Sequence, residues 1–144
     1  MQRTVDSVLH GKGREVYSIG PGASVHAALE MMEQRKVGAL VVTDEGALVG
    51  IISERDFARE MITADKGPRD MLVSDIMTKK VHTVDPAKTM ADCMAMMTKK
   101  RIRHLPVIDD DGLLIGLVSI GDVVRAVITD QESLIEDLER YITS

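Results

Sequence analysis

The chain has 144 residues, a formal net charge of −5, no Trp and only Tyr17, Phe57 and Tyr141 as aromatics. That length fits one compact domain or two very small halves. The acidic balance and scarcity of aromatics argue against a general nucleic-acid binder, which needs a basic surface to displace counterions and rings on which bases stack.

The core has to be aliphatic, and ten Met residues supply unbranched side chains that fill irregular gaps. The first ten residues lack the apolar run of a secretory leader. No stretch approaches the roughly 18 apolar residues of a membrane span. A cytoplasmic protein without a membrane partner is the expectation. Cys93 is the single cysteine, so an intramolecular disulfide and a Cys-cluster metal site are excluded. It lies on the apolar face of a predicted helix, as a small buried hydrophobe does. His10, His26 and His82 show no metal-ligand spacing with one another or with Cys93.

In chain order, a short apolar segment, Val5–Leu9, precedes the first repeat. A turn containing Pro21 leads to Ser24, placed as an N-cap, and Val25, Ala28, Leu29 and Met32 follow the i, i+3, i+4, i+7 spacing of an amphipathic helix. A short strand at 40–42, a tight turn at Gly46 and a second strand at 48–52 read as a hairpin. Ser53 ends that strand and opens a second helix. Residues 63–69 are polar, contain Gly67-Pro68 and read as a connector.

The chain then repeats itself. Residues 16–59 align with 81–125 with one extra residue, Asp111, giving thirteen identities over about 44 positions, among them Pro21/Pro86, Gly50/Gly116, Ser53/Ser119, Asp56/Asp122 and Arg59/Arg125. Thr89 takes the place of Ser24, and Met90, Cys93, Met94 and Met97 repeat the helical stripe. Strands at 105–108 and 114–118 flank a turn at Gly112, and Pro106, which lacks an N–H, belongs at a strand start or edge. The leading segments match as well: Val5–Leu9 has the character of Val73–Met77. From Ile120 onward the apolar residues Val123, Val124, Val127, Ile128, Leu134, Ile135, Leu138, Tyr141 and Ile142 extend a helical stripe beyond what the repeat requires. Such a stripe either straps its own domain or is a dimer contact.

The expected fold is α+β: two β-α-β-β-α repeats related by a pseudo-twofold axis, forming one compact module. The expected boundaries are 1–62 for the first repeat, 63–72 for the connector, 73–128 for the second repeat and 129–144 for a C-terminal helical extension.

The pair of repeats resembles a tandem pair of cystathionine-β-synthase (CBS) domains, a Bateman module. The motifs that carry the resemblance are Arg103-His104-Leu105-Pro106-Val107-Ile108-Asp109, Gly116-Leu117-Val118-Ser119-Ile120-Gly121-Asp122 and Gly50-Ile51-Ile52-Ser53-Glu54-Arg55-Asp56. The resemblance implies a regulatory module without catalytic activity or catalytic cofactor. It binds an adenosine derivative (AMP, ADP, ATP, NAD(H) or S-adenosylmethionine) in the cleft between the repeats, and it signals by ligand-dependent shifts of the repeats to an effector protein. It also implies a homodimer. The other reading is a ligand-independent dimerisation or protein-interaction module.

Ser53 to Asp56 and Ser119 to Asp122 are i, i+3 steps at helix starts, where free N–H groups favour anions. By resemblance Asp56 and Asp122 are the acids that take both ribose hydroxyls. The same spacing is also that of a helix-capping box. Arg103 and His104 of the second copy stand where the first has Gly38 and Ala39. They are phosphate candidates, because Arg offers paired planar donors and His a pH-dependent charge. Their alternative is a solvated helix end with Lys99, Lys100 and Arg101. Arg55 is a second phosphate candidate and Lys36 a weaker one. Ser18 and Thr83, three residues before Pro21 and Pro86, are placed by resemblance near the base or ribose. Ile52 and Val118 are candidate aliphatic walls for adenine. The difference between the copies predicts unequal sites, the one at Arg103 and His104 suited to a phosphorylated ligand.

Overall fold

A computed structural model describes residues 3–143. The elements run α1 (Val5–Lys12), β1 (Ser18–Ile19), α2 (Val25–Arg35), β2 (Ala39–Asp44), β3 (Ala47–Ser53), α3 (Glu54–Met61), α4 (Val73–Ile76), α5 (Met90–Lys100), β4 (His104–Ile108), β5 (Leu114–Ser119) and α6 (Ile120–Thr143). This is the mixed helix and strand class that the repeat pattern predicts. The chain forms two compact units. One, the first-repeat unit, is Val16–His82. The other, the second-repeat unit, joins the described part of Met1–Glu15 to that of Thr83–Ser144.

In the first-repeat unit, β1 pairs parallel with β2 and β2 antiparallel with β3, in the order β1-β2-β3. Glu45 (φ 50) and Gly46 (φ 85) make the left-handed turn between β2 and β3, a conformation that glycine adopts without steric cost. Ser24 caps α2 by accepting from the Ala27 N–H at 3.0 Å. Val25, Ala28 and Met32 on one face of α2 enter a core with Leu40, Val42 and Ile52. In the second-repeat unit β4 and β5 pair antiparallel, and the counterpart of β1 shrinks to Val84, which bridges Val107. Pro106 lies inside β4, and its carbonyl accepts from the Val84 N–H at 3.0 Å. That flank carries one bridging residue, so a missing N–H there costs little, as at an edge. Thr89 and Asp92 form a capping box on α5, and Met90, Cys93 and Met97 fill the core with Leu105, Val107 and Val118.

The compact units group the leading segments differently from their order along the chain. Helix α1 precedes the first repeat but packs in the second-repeat unit, where Val5 (0% exposed) and Leu9 (1%) join the core. The Val5 N–H donates to the Lys88 carbonyl at 2.8 Å, and the Met90 N–H to the Arg3 carbonyl at 2.8 Å. Conversely Met71, Val73 and Ile76 lie in the core of the first-repeat unit. The Val73 N–H donates to the Ala23 carbonyl at 2.8 Å and the Val25 N–H to the Met71 carbonyl at 2.8 Å. Each leading segment therefore completes the core of the other copy. The physical reason is apolar burial. A β-hairpin with one helix leaves an open sheet face, and the segment that covers it removes that face from water.

Matching glycines permit this packing. A Cβ at Gly50 would lie 2.6 Å from Met77 Sδ and 3.0 Å from the Thr78 carbonyl, and one at Gly116 would lie 2.7 Å from both Leu9 methyls. The apolar stripe expected to run on from Ile120 lies on α6, one helix of 24 residues.

Candidate functional site

Each unit presents a Ser-x-x-Asp step where a hairpin strand runs into a helix. In the first-repeat unit Ser53 ends β3 and is the N-cap of α3. The Ser53 N–H and Oγ donate to Asp56 Oδ2 at 2.9 and 3.0 Å, and the Asp56 N–H donates to Ser53 Oγ at 3.2 Å. This is a reciprocal capping box. Asp56 is 8% exposed, and its Oδ1 has no partner among the described residues. Ser53 pairs with Ala39, and Ser18 with Val41, two residues farther along β2. The register thus brings Ser18, Ser53 and Asp56 to one end of the sheet. Arg55 is exposed on α3. Lys36 forms an ion pair with Glu33 at 3.0 Å on the surface.

The second-repeat unit builds the same box. The Ser119 N–H and Oγ donate to Asp122 Oδ2 at 2.8 and 3.1 Å, and the Asp122 N–H donates to Ser119 Oγ at 3.2 Å. His104 pairs directly with Ser119 across β4 and β5. The Arg103 carbonyl accepts from the Ile120 N–H at 2.8 Å, so Arg103, His104, Ser119 and Asp122 converge at one strand end. Thr83 is exposed beside Val84, which bridges Val107. Ile52 and Val118 are both 0% exposed. Both lie in the cores of their units and expose no surface.

Two residues that the sequence reading leaves out complete this second box. Lys12 Nζ, at the end of α1, donates to Asp122 Oδ2 at 2.7 Å and to the Leu117 carbonyl at 2.8 Å. Arg125 donates to Asp122 Oδ1 at 2.6 Å. Both carboxylate oxygens of Asp122 are therefore engaged. Burial alone pushes the Asp122 pKa up. The hydrogen bond from Lys12, the Ser119 N–H, the Lys12 charge and the Arg125 bond outweigh that and hold it below the usual carboxylate value. Arg125 is legible as an i, i+3 partner of Asp122. Lys12 carries no local signal, because 110 residues separate it from Asp122.

The twin boxes differ because their leading helices do. α1 runs through Lys12, whereas α4 ends at Ile76. The chain after α4 turns extended at Met77 (ψ 150), and Thr78 exchanges backbone hydrogen bonds with Ile51 of β3 at 2.8 and 3.0 Å. Leu117 matches Ile51 in the repeat, and its carbonyl is met instead by the Lys12 ammonium. Among the described residues, no group of three His, Cys, Asp or Glu could hold a metal ion, and no helix is long and apolar enough to cross a membrane.

Comparison with known proteins adds four findings. The CBS domain family model matches residues 13–63 and again 73–129. The chain is 41% identical over 148 residues to a mitochondrial CBS domain-containing protein of Arabidopsis thaliana, covering 96% of this chain and 71% of that one. Among solved structures, a CBS domain crystal structure superposes with a TM-score of 0.84 at 48% identity, covering 88% of this chain and 98% of the other. The structure of CBSX2 in complex with AMP superposes with a TM-score of 0.73 at 27% identity, covering 88% and 97%.

Proposed function

The chain belongs to the CBS domain family, and from that premise we propose that it is a regulatory, non-catalytic module that binds an adenosine-containing ligand. The observation that carries this reading is the duplicated Ser-x-x-Asp box, each with a nearly buried carboxylate at a helix start. A carboxylate held there is positioned to accept from a ribose cis-diol, and the neighbouring helix N–H groups favour an anion. That a structural neighbour is a complex with AMP supports the adenosine class. Arg103 and His104, beside the Asp122 box, are the phosphate-facing residues in this reading, with Arg55 serving the Asp56 box. Ser18 and Thr83 contact the ligand near the base or ribose. Occupancy shifts the repeats, and an effector protein responds only to the extent that affinity differs between the two states.

A thermal-unfolding panel of AMP, ADP, ATP, NAD, NADH, S-adenosylmethionine and GTP tests the reading. A ligand that binds only the folded state raises the midpoint in a concentration-dependent way. Selective elevation by one adenine ligand is the expected outcome. No elevation by any member, with a ligand-free preparation confirmed, overturns it.

A second reading, a homodimerisation or protein-interaction module, is favoured by α6. Leu134, Ile135, Leu138, Tyr141 and Ile142 are all more than half exposed there. An apolar stripe of that extent calls for a partner, and we assign it to a second copy of the chain.

A further inference from the structure

We infer that Lys12 is an internal competitor for the ligand: its ammonium occupies the carboxylate that a ribose diol has to reach, so the Asp122 site opens only when Lys12 lets go. The inference rests on the ribose-binding reading above and deepens it, since it makes the twin sites unequal for a reason that the box residues do not contain.

The geometry is specific. At Asp122, Oδ2 takes the Ser119 N–H, the Ser119 hydroxyl and Lys12 Nζ, while Oδ1 takes Arg125. At Asp56, the Ser53 N–H and hydroxyl go to Oδ2 and Oδ1 is left for a further donor. A diol hydroxyl arriving at Asp56 meets an open oxygen. One arriving at Asp122 has to displace a charge-assisted hydrogen bond, the strong kind. Arg125 also holds Asp122 by a charge-assisted bond, at 2.6 Å from a side chain 72% exposed, whereas Lys12 is tied to a second acceptor, the Leu117 carbonyl, as well. Its ammonium is fixed between Asp122 and the edge carbonyl of Leu117, and its stem leaves a helix anchored by buried Val5 and Leu9.

The site with Arg103 and His104 is thus the latched one, and the site with Arg55 alone is open. Ligand at Asp122 frees the last turn of α1, whose closing hydrogen bond runs from the Gly13 N–H to the Leu9 carbonyl at 2.8 Å. The next residues lead directly into the first-repeat unit, so α1 is placed to report occupancy of the second box.

The test uses the full chain with Asp56→Asn to silence the open site, and adenosine as probe because it carries the diol without a phosphate. Lys12→Met removes the ammonium and keeps the stem. The expected result is adenosine binding about ten-fold or more tighter to Asp56→Asn/Lys12→Met than to Asp56→Asn, the size of one charge-assisted hydrogen bond. Lys12→Arg is expected to restore the weaker binding. Unchanged or weaker binding of adenosine by the Lys12→Met protein overturns the latch while leaving the ligand reading intact. Absence of adenosine binding in every variant and in the parent overturns both. Should Lys12→Met not fold, hydrogen exchange of the Asp56→Asn protein decides. Faster exchange at 10–13 under saturating adenosine supports the latch, and unchanged or slower exchange overturns it.

Discussion

At the scale of single residues, the chemistry concentrates on one carboxylate. Asp122 is 3% exposed, and its charge is tolerable because two cations and a helix start surround it. Its pKa is held below the unfolded value, so its contribution to stability is complete above about pH 4. That contribution is lost as pH falls from there through the folded pKa. Asp122→Asn is therefore expected to lose about 1–2 kcal/mol at neutral pH and to flatten the acid side of the stability curve. Chemical denaturation at pH 7 and at lower pH checks both, and an unchanged acid slope would contradict the assignment. Cys93 is the opposite case: burial pushes its thiol up to about 11, so it is unreactive. A thiol reagent at neutral pH should label it only after denaturant is added. Both the Ser-x-x-Asp steps and the buried Cys93 were legible in the sequence, because capping and helical periodicity are local. Lys12 was not, because nothing local ties it to Asp122.

At the scale of elements, the exchange of leading helices is the main departure from what the repeat alone conveys. Self-similarity identifies Val5–Leu9 and Val73–Met77 as equivalent, but it does not say which hairpin each one covers. Gly50 and Gly116 carry the trace of that choice, since their identity in both copies marks a close approach without naming the partner. Gly50→Ala meets the Thr78 backbone as well as Met77, whereas at Gly116 the nearest atoms all belong to the Leu9 side chain. Both should destabilise by about 1–3 kcal/mol, with Gly50→Ala the more severe because backbone yields less than a side-chain tip. Urea unfolding of the two variants ranks them, and the reverse order would contradict the packing described. The short β1 and the single Val84 bridge were less legible, since one or two residues give no period to count.

At the scale of the whole molecule, a duplicated α+β unit provides two Ser-x-x-Asp boxes of one design that the leading helices make different. Helix α6 extends well past the buried Val123 and Ala126, and its far half carries an exposed apolar stripe among charged residues. A second copy covering that half predicts that truncation after Asp130 converts a dimer to a monomer in sedimentation velocity. A truncated chain that keeps the parent's mass would remove α6 from the interface. The proposed ligand class rests on resemblance, because a carboxylate capping a helix looks the same in sequence whether or not a ribose ever binds it. The most direct measurement is a calorimetric titration of AMP into the parent, Asp56→Asn, Asp122→Asn and the double variant, each confirmed folded by circular dichroism. The account predicts that each single variant loses one binding event and that the double variant loses both. Retention of AMP binding by the folded double variant would contradict it.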